Sequence, residues 1–173
     1  MRFLAVFALV TASACNPTID FEVPIEGEAT IAGGGLVPGL LGSIGLGDLA
    51  TLDLSNTQEF ENNDVRKEQV VSTRLQRLSL TIVSGDPDFN FLDSLSFSVQ
   101  APDLAKQRVA SKLVPNDVVA FDLDRDDIDI APYVRADSIS LTSDINGSQP
   151  ATDTRIKIQL VFAVKAEVIG SQN

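Results

Sequence analysis

Residues 19–31, "IDFEVPIEGEATI", alternate without a fault. Ile19, Phe21, Val23, Ile25, Gly27, Ala29 and Ile31 fall in one phase, and Asp20, Glu22, Pro24, Glu26, Glu28 and Thr30 in the other. A period of two puts these sets on opposite sides of an extended backbone, so the segment predicts a strand with one apolar and one wet face. Residues 156–168 repeat the pattern with Ile156, Ile158, Leu160, Phe162, Val164, Ala166 and Val168. Half-greasy strands of this length must bury their apolar faces against another layer. Pro24 has no N–H to give a ladder, which predicts that the first strand lies at a sheet edge.

The chain between these strands carries the same rhythm. "ATLDLS" reads as a short strand, and "SNTQEFEN" as one helical turn with Asn56 as N-cap and Glu59 three residues on. In "EQVVSTRLQRLSLTIVSGDPD", Val71, Leu75, Leu78 and Ile82 fit helical spacing. Val71/Thr73/Leu75 and Leu78/Leu80/Ile82 fit a strand whose phase slips at Gln76–Arg77, as a bulge would allow. The β-branched content and the Ser84-Gly85-Asp86-Pro87 stop favour the strand. Further strands follow: Phe89, Phe91, Leu95, Phe97 and Val99 in one phase with Asp93 as a breach; "KQRVASKL"; Val119, Phe121 and Leu123; and Ile139, Leu141 and Ile145. The turn-rich "NGSQPATDT" predicts antiparallel pairing of the strands on either side. Arg155, Lys157 and Lys165 read as a solvated outer face that discourages edge pairing.

Together these segments predict an all-β fold: an antiparallel two-sheet β-sandwich of seven to nine strands, Ig-like in architecture only, since no Cys…Trp…Cys set is present. One long Gly-rich loop follows the first strand. The length of 173 residues suits a single domain, taken as 19–170, and 44% hydrophobic content can supply its core.

Charge and missing residue types narrow the function. With 24 acids against 13 bases the net charge is −11, which argues against nucleic acid, whose phosphates call for clustered Lys and Arg. Histidine is absent, removing the commonest general base and the commonest neutral metal ligand. "LGSIG" around Ser43 has Leu41 where a nucleophile elbow needs glycine. No phosphate-binding Gly-rich loop of the G-x-x-x-x-G-K type occurs. No catalytic residue and no catalysis are expected; a pair of carboxylates hydrolysing a glycoside is the remaining enzymatic rival.

The N-terminus "MRFLAVFALVTASAC" has Arg2, an apolar run from Phe3 to Val10, then Ala12, Ser13 and Ala14 before the single cysteine, Cys15. The run is too short to span a bilayer as a helix and ends like a cleaved signal peptide, residues 1–14. Ala12-Ser13-Ala14-Cys15 resembles the lipobox of bacterial lipoproteins, with Ala where Leu is usual. The alternative is an ordinary secretory signal that leaves a free thiol. The resemblance implies that Cys15 carries diacylglycerol and, usually, a further acyl chain such as palmitate. Two or more chains make a stable anchor. Asn16 after the cysteine implies the outer membrane, with the body in the periplasm. Residues 15–18 then form a tether of roughly 10 Å. The body is also similar in rhythm to uncharacterised bacterial lipoproteins of one β-sandwich domain.

Two segments remain. In "FDLDRDDIDI", Asp122, Asp124, Asp126, Asp127 and Asp129 offer the hard oxygens that calcium prefers. Asp127 and Tyr133 stand where an EF-hand needs Gly and Glu, so the favoured reading is two outward strand residues and a solvated acidic turn. No cofactor is expected, with calcium as the secondary reading. From Ile31 to Gly47 the chain has no charge, seven glycines and Pro38, which penalise any membrane helix. Leu36, Val37, Leu40, Leu41, Ile44 and Leu46 read as a cap on the sandwich end or as an interaction loop. The functional expectation is an envelope lipoprotein acting as a structural or protein-interaction module for an unknown envelope protein. The alternative is a carrier of an apolar ligand held between the sheets, with residues 32–49 as its flap.

Overall fold

The computed structural model describes residues 17–34 and 51–168. Cys15 and the predicted interaction residues Leu36, Val37, Leu40, Leu41, Ile44 and Leu46 lie outside the described residues. In chain order the strands are β1 (Thr18–Ile31), β2 (Thr51–Leu52), β3 (Val70–Ser84), β4 (Leu92–Gln100), β5 (Gln107–Leu113), β6 (Ala120–Asp122), β7 (Asp124–Arg125), β8 (Ile139–Gly147) and β9 (Thr154–Glu167). They form two sheets, β1-β9-β3-β6 and β2-β8-β4-β5-β7, and every paired ladder is antiparallel. The chain is thus an all-β two-sheet sandwich with nine strands among the described residues.

The two strictly alternating segments meet each other. β1 pairs with β9 over its whole length, from Thr18 opposite Glu167 to Ile31 opposite Thr154. Pro24 is accommodated because, among the described residues, β1 is an edge strand with β9 as its single neighbour. Inward from β9 point Ile156, Ile158, Leu160, Phe162, Val164 and Ala166, each at most 1% exposed. They meet Leu78 and Leu80 of β3, Phe97 and Leu95 of β4, and Phe89 in one continuous core. Burial of each large side chain contributes about 1.5–3 kcal/mol.

β3 is a strand throughout, and its register against β9 shifts between Leu75 (opposite Phe162) and Arg77 (opposite Val161). The bulge at Gln76 restores the phase, so Leu75 and Leu78 are both buried. A second shift between Val70 and Ser72 turns Val70 inward and leaves Val71 exposed, contrary to the alternation expected at Val71. The breach at Asp93 has the same cause: β4 shifts register against β8 between Leu92 and Ser94, and Asp93 faces solvent. Val119 and Val168, placed by phase with the apolar set, are also exposed.

Three other expectations are corrected. The strands flanking "NGSQPATDT" do not pair: β8 lies in one sheet and β9 in the other, so residues 148–153 cross between layers. β9 already has β1 on one side and β3 on the other, leaving no edge for β8. For the same reason Arg155, Lys157 and Lys165 guard no edge; they stand on an inner strand. The helical turn α1 (Gln58–Asn62) forms, but Thr57 rather than Asn56 occupies the N-cap, because a 3-10 turn takes up Leu54–Asn56. The Thr57 hydroxyl donates back to the Leu54 carbonyl at 2.9 Å instead of capping the helix.

Connections fix two ends of the sandwich. The chain enters β1, leaves β9 and enters β3 at one end, here the near end. α1 and the short helix α2 (Ala131–Val134) lie there too. Phe60 of α1 stacks edge-on against Phe21 at 5.2 Å, and Arg135 donates to the Val70 carbonyl. At the far end β1 and β3 finish, and the turn after β3 opens on Gly85 at φ +110°, where a Cβ would strike the Asp153 carbonyl. One flank is closed by residues 120–125. They pair as β6 with β3, bury Leu123 and pair as β7 with β5, so a single extended run belongs to both sheets.

Candidate functional site

The outer face of the β1/β9/β3 sheet is built in rows set by register. Asp20 faces Lys165, Glu26 faces Gln159, and Glu28 faces Lys157. Acids on β1 meet donors on β9: Lys157 to Glu26 at 2.7 Å, Lys165 to Asp20 at 3.8 Å, Arg155 to Glu28 at 3.7 Å. The Lys157 ammonium and then the Gln159 amide, both hydrogen-bonded to Glu26, hold its carboxyl below the ordinary range. These pairs are exposed and screened by solvent, so they fix charge positions more than they add stability.

One row departs from this pattern. Glu22 of β1 faces Ala163, which faces Arg74 of β3. With alanine in the middle, Glu22 has no ion pair among the described residues. Arg74 lines the gap and gives its Nη1 to Asp127. The gap is a groove of about 460 Å³, with Ala163 among its lining and Asp20, Glu22, Arg74 and Lys165 around it. It adjoins a second hollow of about 550 Å³ that shares Arg74, Gln76 and Ala163 and runs on to Arg125 and Asp127. Arg125 reaches it by donating to the carbonyl of the bulged Gln76 at 2.8 Å. The row of Glu22, Ala163 and Arg74 carries no motif that sequence alone assigns to a site. Its one available signal was the apolar interruption at Val161 and Ala163 in the otherwise polar outward phase of β9.

The acidic run begins on the flank-closing segment, and Asp124, Asp126 and Asp127 go to separate cations. Asp122 and Asp124 both face outward around buried Leu123. Asp124 pairs with Lys112 at 2.7 Å, Asp126 with Arg108 at 2.8 Å, and Asp127 with Arg74. The Asp126 carboxylate raises the Arg108 guanidinium above its ordinary value. Burial pushes the Asp129 carboxyl up, but the N–H groups of Thr73 and Ala131, the Ser72 hydroxyl and the Arg74 charge outweigh it, and its pKa falls below the usual range. Among the described residues no three acidic or sulfur side chains gather as a metal cage. For calcium to bind this run, the carboxylates would have to leave the cations and amides that hold them apart.

Large apolar side chains reach solvent at both ends. Leu113 (81% exposed), Val119 (57%) and Val83 (46%) lie where β5 and β3 finish and before β6 begins, at the far end from Thr18. Gly33 and Gly34 are tied down there as well, by hydrogen bonds to the Asp153 carboxylate and the Pro150 carbonyl. Between the sheets, Phe60, Phe89, Phe97 and Phe162 fill the core with under 2% exposure each. Compared with known families and with curated proteins, the chain matches no family model and no curated sequence.

Proposed function

We propose that this chain is a bacterial envelope lipoprotein, anchored through acylated Cys15 to the outer membrane, and that it serves as a structural or protein-interaction module without catalysis. The carrying observation is the interval between Cys15 and β1, which begins at Thr18. A lipid on that sulfur leaves almost no tether, so the near end of the sandwich lies against the bilayer and the far end points away. Leu113, Val119 and Val83 are exposed at the far end, where an apolar patch facing away from the bilayer would suit an interaction role. The absence of histidine and the pairing of Asp124, Asp126 and Asp127 with separate cations support a non-catalytic reading.

The test is the mass of the mature protein taken from envelope membranes. A chain beginning at Cys15 with diacylglycerol and a further acyl group is expected, and Cys15→Ser should move the protein to the soluble fraction. An unmodified chain recovered from the medium overturns the anchor. Lipid copurifying in stoichiometric amount with Cys15→Ser would favour the apolar-ligand carrier over the interaction module.

A further inference from the structure

We infer that the groove over Ala163 binds a small zwitterion, with its ammonium on Glu22 and its carboxylate on Arg74. Three features of the outer face support this. First, the other β1 acids Asp20, Glu26 and Glu28 each meet a cation from β9, whereas Glu22 stands opposite an alanine that can offer nothing. Second, the same row ends in a guanidinium. Glu22 and Arg74 stand on strands two spacings apart, roughly 10 Å at the backbone. Third, the space between them is an open groove of about 460 Å³ rather than packed side chains. Arg74 gives Nη1 to Asp127 and lies near the Asp129 carboxylate, and among the described residues its remaining N–H groups make no hydrogen bond.

Charge selects the ligand class. Lys165 and Asp20 offset each other as a pair, so the selecting charges are Glu22 and Arg74, and a simple anion drawn to Arg74 is repelled by Glu22 on the opposite rim. A simple cation meets the reverse arrangement. A molecule with an ammonium at one end and a carboxylate at the other satisfies both rims, and Ser72 and Gln76 add neutral hydrogen-bonding groups along the groove. Free amino acids and short peptides share this chemistry, and the distance between their two charges separates them. The slot does not depend on how the chain is anchored, so it stands or falls separately from the lipoprotein reading.

The experiment titrates the ¹⁵N-labelled full chain with glycine, 4-aminobutyrate and triglycine, which carry their charges progressively further apart. Butyrate and butylamine serve as one-ended controls. Saturable shifts of the Glu22, Ala163 and Arg74 amides are expected with at least one zwitterion and with neither control. The best length distinguishes an amino acid from a peptide. Glu22→Gln and Arg74→Gln should each weaken binding about fivefold. Both side chains are exposed, so the fold is retained. Ala163→Lys, which gives Glu22 the partner its neighbours have, should abolish binding without lowering stability. Equal binding of a one-ended control, undiminished binding by Ala163→Lys, or no shift with any of the three zwitterions overturns the assignment.

Discussion

Thr73 shows how a single buried residue ties the flank-closing segment to the sheet. Its N–H donates to the Asp129 carboxylate at 2.9 Å and its carbonyl accepts from Ile130 at 2.8 Å. The same carboxylate oxygen accepts the Ala131 N–H at 2.9 Å, so it fixes the entry to α2. Replacing Asp129 with Ala orphans these donors and is expected to cost about 1–2 kcal/mol in urea unfolding at neutral pH. The sign with pH follows from the lowered pKa. The unfolded chain takes up the proton first as pH falls, so the carboxylate's contribution is complete above about pH 4 and is lost as pH drops through the depressed folded value. The gap between the parent and Asp129→Ala should therefore close in acid; a gap constant down to strongly acidic pH would show that charge plays no part. Thr73 has a second, opposite feature: its hydroxyl is fully buried with no partner among the described residues. Thr73→Val keeps the shape and removes that cost, and a gain of about 1 kcal/mol in the same assay is expected.

At the scale of an element, β3 is the strand on which the sandwich's register depends. Leu78 and Leu80 are buried because Gln76 is an extra residue opposite β9. Deleting Gln76 would slide everything beyond it by one position and turn these leucines to solvent, or force β3 to slip along β9. A loss of at least about 3 kcal/mol, or no cooperative unfolding at all, is expected for the deletion. Gln76→Ser, which keeps the count, should stay within about 0.5 kcal/mol of the parent. The bulge was legible in the sequence because it leaves a phase slip between two clean alternations. So was the edge position of β1, through Pro24. Which strands neighbour one another was not legible. The alternation of β9 is the same whether its outer face borders an edge or two long neighbours, and a turn-rich connector reads alike whether it joins a hairpin or crosses between layers. The candidate site was hidden for that reason. Glu22, Ala163 and Arg74 are far apart in sequence, and only cross-strand register sets them in one row.

At the scale of the molecule, the first and last described strands are partners, and the last is an inner strand of its sheet. β1 and β3 do not touch each other as neighbours; both hydrogen-bond to β9. Until Thr154–Glu167 is in place, the apolar faces of β1 and β3 have no common support and the far layer has little to pack against. A chain ending before Thr154 is therefore expected to lack a cooperative thermal transition, although it retains every other strand. Two separately stable sheets would require the opposite, with the five-stranded layer surviving the truncation as a folded unit. The same topology sets the folding rate. Pairing Thr18 with Glu167 closes nearly the whole chain, and the loop entropy must be met before these contacts repay it. Refolding by stopped-flow fluorescence of Tyr133, whose hydroxyl docks on the Ala105 carbonyl, is expected on the millisecond-to-second scale typical of sandwiches. Microsecond refolding would mean that local contacts guide the chain, which an inner strand formed from the last described segment does not permit.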